Sequence, residues 1–368
     1  MTTQPHSVGL MPMRRNNMSA WAEQDNETLV CVRKWQETPD CVSFELADPH
    51  RERQFNFKPG QFANLGFSIN GQTVYRSYSI SSQAQQPYLR FTVKRVAQGL
   101  VSQHVVDELT LGDSVMAMKP QGRFNSTDCA PKSRVLLISA GCGITPVMAM
   151  AKAWLAEQSD KPNDAREIDF LHIARNPEQT IYWQELQQLA AQHSNFHLKL
   201  LLKDAGESGF AQGRLTQETL IEQVPDVLER SVYLCGPARF MQDVSGYLQA
   251  LGFDMAHFHQ ESFSPEMTLI NEEDSAPNVR QQVKIRVPAF GVEVDAPSEK
   301  VLLEALETGK LPIIAACRSG ICGSCKCRVL DGRVRRLSQE TLSEEEIEQG
   351  YVLACSTLAE SDVELALN

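Results

Sequence analysis

Cys317-Arg318-Ser319-Gly320-Ile321-Cys322-Gly323-Ser324-Cys325 is the stretch on which the reading of this chain turns, and a further thiol, Cys355, stands well downstream. Two irons need four thiolates, three of them converging from one tight loop, and C-x4-C-x2-C with a distant fourth cysteine is the spacing of a [2Fe–2S] site. Gly320 and Gly323 let the backbone curl so that its N–H groups face the sulfurs, while Ser319 and Ser324 leave room for it. Buried free cysteines would sit in a more apolar loop. Zinc usually takes two C-x2-C knuckles, and only one is present. Cys327 follows Cys325 at strand spacing, points the other way and reads as a free thiol.

Around this loop, residues 283–368 read as one compact unit. A hairpin is expected over 283–287 and 291–294, and a helix over 301–307. Residues 264–282 are acidic, contain proline and show no period, the signature of a linker. Upstream, residues 129–263 alternate strand and helix. Val135-Leu136-Leu137-Ile138 leads through a glycine turn to a helix over 147–157. Ile168-Asp169-Phe170-Leu171-His172-Ile173 precedes a helix over 183–193, and further strands follow at 198–202 and 232–235. Such alternation predicts a parallel sheet covered on both faces.

Residues 28–128 have a third grammar. Short β-type runs such as Leu29-Val30-Cys31-Val32 and Leu89-Arg90-Phe91-Thr92-Val93 are broken by Pro59-Gly60 and Asn70-Gly71, which predicts an antiparallel barrel. One stretch, 100–109, reads as helical. Residues 1–27 are polar, with Arg14 and Arg15 but no apolar run behind them, so they read as a disordered leader or a misplaced start, and a cytoplasmic location is expected. The expected fold class is therefore multidomain: an antiparallel β-barrel, an α/β parallel-sheet domain and a small α+β domain.

With 368 residues, 42% hydrophobic content and a net charge of −11, the chain is an ordinary globular one that repels phosphate, which argues against nucleic-acid binding. No apolar run is long enough to span a bilayer. Ten cysteines in such a chain are better read for metal than for disulfides.

Two further constellations carry chemistry. Arg76-Ser77-Tyr78-Ser79 ends one β run, and Val93-Lys94 ends another ahead of Gly99, Val101 and Ser102 at a helix start. Arg76 and Lys94 supply cations for a pyrophosphate, the helix start supplies N–H donors, and Tyr78 offers a flat face to a ring. In the second domain Gly141-Cys142-Gly143-Ile144-Thr145-Pro146 turns a strand into a helix whose free N–H groups suit a second pyrophosphate. Cys235-Gly236-Pro237 and Glu261-Ser262-Phe263 close that domain. His257 and His259 lack a third ligand and read as ordinary strand-end histidines.

Taken together these segments resemble known families. Residues 283–368 look like a plant-type ferredoxin of β-grasp fold, with Tyr351-Val352-Leu353-Ala354-Cys355 delivering the fourth ligand. The Arg-x-Tyr-Ser motif, with Pro59-Gly60-Gln61 and Cys235-Gly236-Pro237, resembles the ferredoxin–NADP reductase superfamily. That resemblance implies FAD (FMN being a lesser alternative), with Arg76 at the pyrophosphate and Tyr78 and Ser79 at the isoalloxazine. It also implies that Cys235 and Glu261 border the nicotinamide, Thr145 contacts the dinucleotide and Phe263 packs near the flavin. Arg175 stands toward the adenosine end; as a lone cation it leaves NADH the expected donor over NADPH.

Nicotinamide delivers two electrons together while an iron–sulfur centre takes one, so a flavin between them is the chemical requirement. The implied route is NADH to FAD to [2Fe–2S] to a partner protein. The domain order, Ser139–Pro146 and Glu346–Cys355 resemble the NADH oxidoreductases that serve hybrid-cluster protein, implying electron supply for hydroxylamine or nitric oxide reduction. The reductase component of a Rieske-type oxygenase acting on betaine-like compounds shares the same order and is the alternative. A redox-sensing module without turnover is a third reading, weakened by the completeness of the three cofactor sets.

Overall fold

The computed structural model describes residues 26–160, 166–263 and 282–367. The expected leader and linker therefore lie outside the described residues, except for Asn26, Glu27 and Gln282, which already belong to strands.

The first domain is built from β1 (Asn26–Thr38), β2 (Cys41–Ala47), β3 (Phe62–Ile69), β4 (Gln72–Ser79), β5 (Leu89–Lys94) and β6 (Ser114–Met118), with helix α1 (Leu100–Asp107). Asn70 and Gly71 both adopt positive φ, 52° and 77°, the two-residue turn that matches strand twist and sets the β3–β4 register. The six strands form one antiparallel sheet, ordered β4-β3-β6-β1-β2-β5. Its edge strands β4 and β5 share no ladder. A single backbone hydrogen bond, Ser81 N–H to the Arg90 carbonyl, joins the chain beyond β4 to β5. Phe44, Leu46, Leu65, Phe67 and Phe91 belong to its buried core.

The second domain contains β7 (Arg134–Ala140), α2 (Ile144–Asp160), β8 (Glu167–Ala174), α3 (Trp183–Gln192), β9 (Phe196–Leu202), β10 (Ala211–Gln212), α4 (Gln217–Gln223), β11 (Ser231–Cys235), α5 (Ala238–Ala250) and β12 (Phe258–Glu261). Its sheet is parallel, ordered β10-β9-β8-β7-β11-β12. Strand alternation sends Val135, Leu137 and Tyr233 to one core with Trp154, and Leu136, Ile138 and Leu234 to another with Val244 and Leu248. Two apolar faces are why these strands read as continuous hydrophobic runs. The helix expected from 147 starts three residues earlier, because Pro146 lacks only an N–H that the first turn leaves unpaired anyway.

The third domain holds β13 (Gln282–Val287), β14 (Val292–Pro297), α6 (Leu302–Thr308), β15 (Lys326–Asp331), β16 (Val334–Arg336), α7 (Glu344–Glu348), β17 (Tyr351–Leu353), β18 (Thr357–Ala359) and β19 (Val363–Leu367). Five strands are ordered β14-β13-β19-β15-β17, with β13 parallel to β19, and β16 pairs with β18. The β13–β14 hairpin turns at Gly291, φ 64°. Helix α7 is closed by a reciprocal cap between Ser343 and Glu346. Among the described residues no helix is long and apolar enough to cross a membrane.

Candidate functional site

The four cysteines of the loop converge. Cys317, Cys322, Cys325 and Cys355 are all buried, and the Cys317 sulfur contacts those of Cys322 and Cys355 while Cys325 contacts Cys355. The backbone N–H of Ser319 points at Cys317 Sγ and that of Cys355 at Cys325 Sγ, each at 3.4 Å. Arg318, Gly320 and Gly323 take positive φ of 57°, 77° and 73°, which coils the loop around the sulfurs. A side chain at Gly320 would come within 2.6 Å of Ser338 Cβ. Crowding splits the thiols: hydrogen bonds from Cys322 and Cys355 push Cys317 down, and the same bonds push those two up. Buried Ser319 Oγ has no partner among the protein atoms. Four thiols sharing protons, ringed by N–H donors, fit a thiolate-bound cluster.

No three His, Cys, Asp or Glu side chains among the described residues gather as ligands of one metal ion. His257 lies 3.8 Å from an Asp254 oxygen and His259 stacks on Tyr233 with ring centroids 5.0 Å apart. Cys327 is buried in β15 within the third core, its thiol pushed up to about 12 by burial and by nearby Cys325.

In the first domain, the end of β4 places Arg76, Ser77, Tyr78 and Ser79 opposite Leu65, Asn64, Ala63 and Phe62 of β3. Ser77 donates to Asn64 Oδ1, so its hydroxyl is committed inside the sheet. Ser79 is buried, and Tyr78 packs against the core of the sheet, where burial raises its phenol. Arg76 Nη1 donates to the Tyr75 carbonyl at 2.7 Å, and its guanidinium is held down by burial and by Arg318. Arg318 is itself forked onto both carboxylate oxygens of Glu307, which also lies within electrostatic reach of Arg76. Lys94 lies 3.4 Å from Asp40, and Val93 is in the core. Gly99 caps α1 without a side-chain bond, Val101 packs inward, and Ser102 Oγ donates to the Gly99 carbonyl at 3.0 Å.

In the second domain, Gly141 has φ 54° and Gly143 packs so tightly on Cys235 that a Cβ would collide with the Cys235 carbonyl and lie 2.6 Å from the Gly236 nitrogen. Both glycines are thus demanded by backbone geometry. Thr145 Oγ1 donates to the Cys142 carbonyl at 3.1 Å. Pro237 caps α5. Cys235 and Glu261 are register partners on β11 and β12. Burial pushes both well above their usual ranges, and Glu261 Oε2 has no partner among the protein atoms. Arg175 is exposed beyond β8.

The tertiary structure adds residues that the sequence did not single out. Glu261 opens on a cavity of about 370 Å3 shared by Gly122 and Arg123 of the first domain and Ile321, Glu340 and Thr341 of the third. Phe62, Phe263, Ala316, Cys317 and Cys322 form one apolar cluster, with Tyr75 and Ile321 against it. Arg318 and Phe62 carry no local motif; only their meeting across domains marks them.

Three family models match in order: the oxidoreductase FAD-binding domain over residues 29–126, the oxidoreductase NAD-binding domain over 137–246, and the 2Fe-2S iron-sulfur cluster binding domain over 285–360. The glycine betaine monooxygenase reductase subunit of Pseudomonas aeruginosa (strain UCBPP-PA14) is 36% identical over 351 residues, covering 90% of this chain and 93% of that one. The NADH oxidoreductase HCR of Escherichia coli (strain K12) is 34% identical over 332 residues, covering 90% and 94%. The structure of phthalate dioxygenase reductase superposes with a TM-score of 0.62 at 24% identity, covering 93% of this chain and 98% of that one, a likeness of fold. The expected membership in the hybrid-cluster type is overturned by the greater likeness to oxygenase reductase subunits. Motifs that bind shared cofactors are common to both groups, so they could not separate them.

Proposed function

For a chain that belongs to the flavin- and nicotinamide-dependent oxidoreductases carrying a fused 2Fe-2S domain, we propose the role of reductase component of a Rieske-type oxygenase, one acting on a small betaine-like substrate. Its activity is NAD(P)H-dependent flavin and iron–sulfur oxidoreduction, with FAD, a [2Fe–2S] cluster and NAD as cofactors. NADH is the proposed donor, since Arg175 is the single cation assigned to the adenosine end. Ten free cysteines suit a reducing compartment, the cytoplasm.

The observation that carries this reading is the packing of Cys317 and Cys322 with Phe62 and Phe263, which brings the cluster loop against the flavin-side sheet. The finer fold reading belongs to the proposal. Barrel closure draws support from the Ser81–Arg90 hydrogen bond, and a β-grasp third domain from parallel β13 and β19.

The flavin, when bound, accepts a hydride and releases single electrons. This chain's residues do the rest. Arg76 and Lys94 hold the pyrophosphate, with N–H groups of Gly99, Val101 and Ser102 at the start of α1. Tyr78 backs the ring and Ser79 offers its hydroxyl to the ring edge. Gly141, Gly143 and Thr145 seat the dinucleotide, and Gly236 and Pro237 lead its nicotinamide toward Cys235 and Glu261. Those two, buried and uncharged, line the hydride path without placing a charge in it. Phe263 closes the apolar junction and keeps water from it.

Anaerobic mixing with NADH tests the route: flavin absorbance bleaches first and cluster absorbance follows. With an N-methyl-removing oxygenase component added, NADH oxidation should couple to formaldehyde release. Failure of cluster absorbance to follow the flavin would refute the route, and coupling only to a non-oxygenase acceptor would refute the partner class.

A further inference from the structure

Strand β5 ends at Lys94, proposed to hold the flavin pyrophosphate, and the turn from Gly141 to Gly143 is the proposed dinucleotide seat in the second domain. Thr92 of β5 bonds to that second domain twice. Its carbonyl accepts from the thiol of Cys142, at the centre of the glycine turn, at 3.5 Å. Its hydroxyl lies 2.5 Å from the phenol of Tyr182, which caps α3, and 2.7 Å from the hydroxyl of Ser43 on β2. Tyr182, Thr92 and Ser43 are all buried.

The protons along this row run one way. Ser43 donates to Glu37 Oε1 at 2.7 Å, an oxygen that also accepts from Trp35 Nε1. With its one proton so spent, Ser43 must accept from Thr92. Thr92 must then accept from Tyr182, so the phenol is the donor across the domain boundary. Burial raises that phenol, which keeps its proton in place. Tyr182 holds φ 61° and ψ 28°, a left-handed conformation that a bulky residue keeps only where its surroundings impose it. A second tie lies alongside. Arg90, on the same face of β5 as Thr92, donates to Glu185 of α3 at 3.1 Å, and Lys152 of α2 donates to the other Glu185 oxygen at 2.8 Å.

We propose that Tyr182 and Thr92 are positioning residues for hydride transfer, their hydrogen bond fixing the glycine turn against the strand that runs into Lys94. This role rests on the proposed flavin and dinucleotide seats. The transfer moves one hydrogen with its bonding electron pair from the oxidised nicotinamide to the reduced flavin, and it demands near-contact of the two reacting atoms. A misplacement of about 1 Å costs on the order of a hundredfold, so a smaller slip of β5 against the turn costs about tenfold.

The test mixes full-length Tyr182→Phe holoenzyme anaerobically with NADH, and with NADH deuterated at the transferred position. The limiting rate of flavin bleaching is expected to fall about tenfold, with FAD content and half-saturating NADH within about twofold of the parent. The deuterium effect on bleaching should be at least as large as in the parent, because hydride transfer itself has slowed. Thr92→Val should slow bleaching likewise, and Thr92→Ser, which keeps the hydroxyl, should recover most of the rate. Tyr182→Phe combined with Thr92→Val should be no slower than the slower single variant, since both break one contact. Bleaching of Tyr182→Phe at the parent rate overturns the proposal, as does a loss seen only in FAD content or half-saturating NADH. Thr92→Ser as slow as Thr92→Val overturns it too, and that pair decides alone if Tyr182→Phe fails to fold. Parent enzyme that never bleaches with NADH refutes the functional reading, and this role with it.

Discussion

Phe263 meets Phe62 edge to face, ring centroids 5.6 Å apart and planes at 84°. One ring follows the last strand of the second domain; the other begins β3 of the first, and the cysteine loop of the third packs on both. An apolar junction shared by all three domains is what a short electron path between flavin and cluster requires, since it excludes water and fixes distance.

The four thiols should be separable from the flavin chemistry. Cys322→Ser is expected to abolish reduction of one-electron protein acceptors while leaving NADH–ferricyanide turnover within about twofold. Acceptor assays on the purified variant check this; loss of both activities together would make the cluster structural.

Gly143→Ala tests the glycine turn. The added methyl group collides with the Cys235 carbonyl, and relieving it moves one backbone against the other at a cost of about 1–3 kcal/mol. The KM for NADH should rise about tenfold or more with FAD content unchanged. Steady-state kinetics beside flavin absorbance read the two quantities separately.

Arg76→Ala should weaken FAD retention by about ten- to a hundredfold, the ~1.5–3 kcal/mol of a hydrogen bond to a charged group. Arg76→Lys should recover part of it, because a point charge replaces a planar fork. Fluorescence of released flavin on dilution measures both.

His172 makes a pH prediction. It is fully buried in β8 beside Ser139, its Nδ1 2.8 Å from the Ser139 hydroxyl, and burial lowers it to about 3. The unfolded chain takes up a proton near 6.5 and the folded one does not. Stability is therefore fully present above pH 6.5 and is lost as pH falls toward 3, by about 1.4 kcal/mol per unit within that window. His172→Asn should flatten the loss between pH 6.5 and 5 in thermal unfolding scans. An identical slope in both proteins would remove His172 as its source.

The third domain carries more acidic than basic residues, with Glu344, Glu345, Glu346 and Glu348 together on α7. A basic partner face would be steered toward it, so partner reduction should slow several-fold as salt rises from about 0.05 to 0.5 M while ferricyanide reduction stays level. Salt-independent partner reduction would exclude electrostatic docking.

The positions of strands and helices were largely legible in the chain, since alternation and glycine turns act over a few residues. Asn70-Gly71 and Gly291 mark their hairpins because positive φ leaves few residue choices. Sheet closure was less legible, for edge strands β4 and β5 approach without a ladder. The partner class was misread because cofactor motifs are shared across reductases, whereas partner choice resides in surface detail.

The sequence by itself singled out the four thiols that converge in the structure, since three of them lie within one tight loop whose spacing is a local geometric demand. Only the tertiary structure decided that Phe62 meets Phe263 and that Glu261 and Glu340 share a cavity. Each of those pairs joins segments from different domains or distant strands. No short-range period or turn preference encodes such a meeting; it follows from how three finished cores bury their remaining apolar faces against one another.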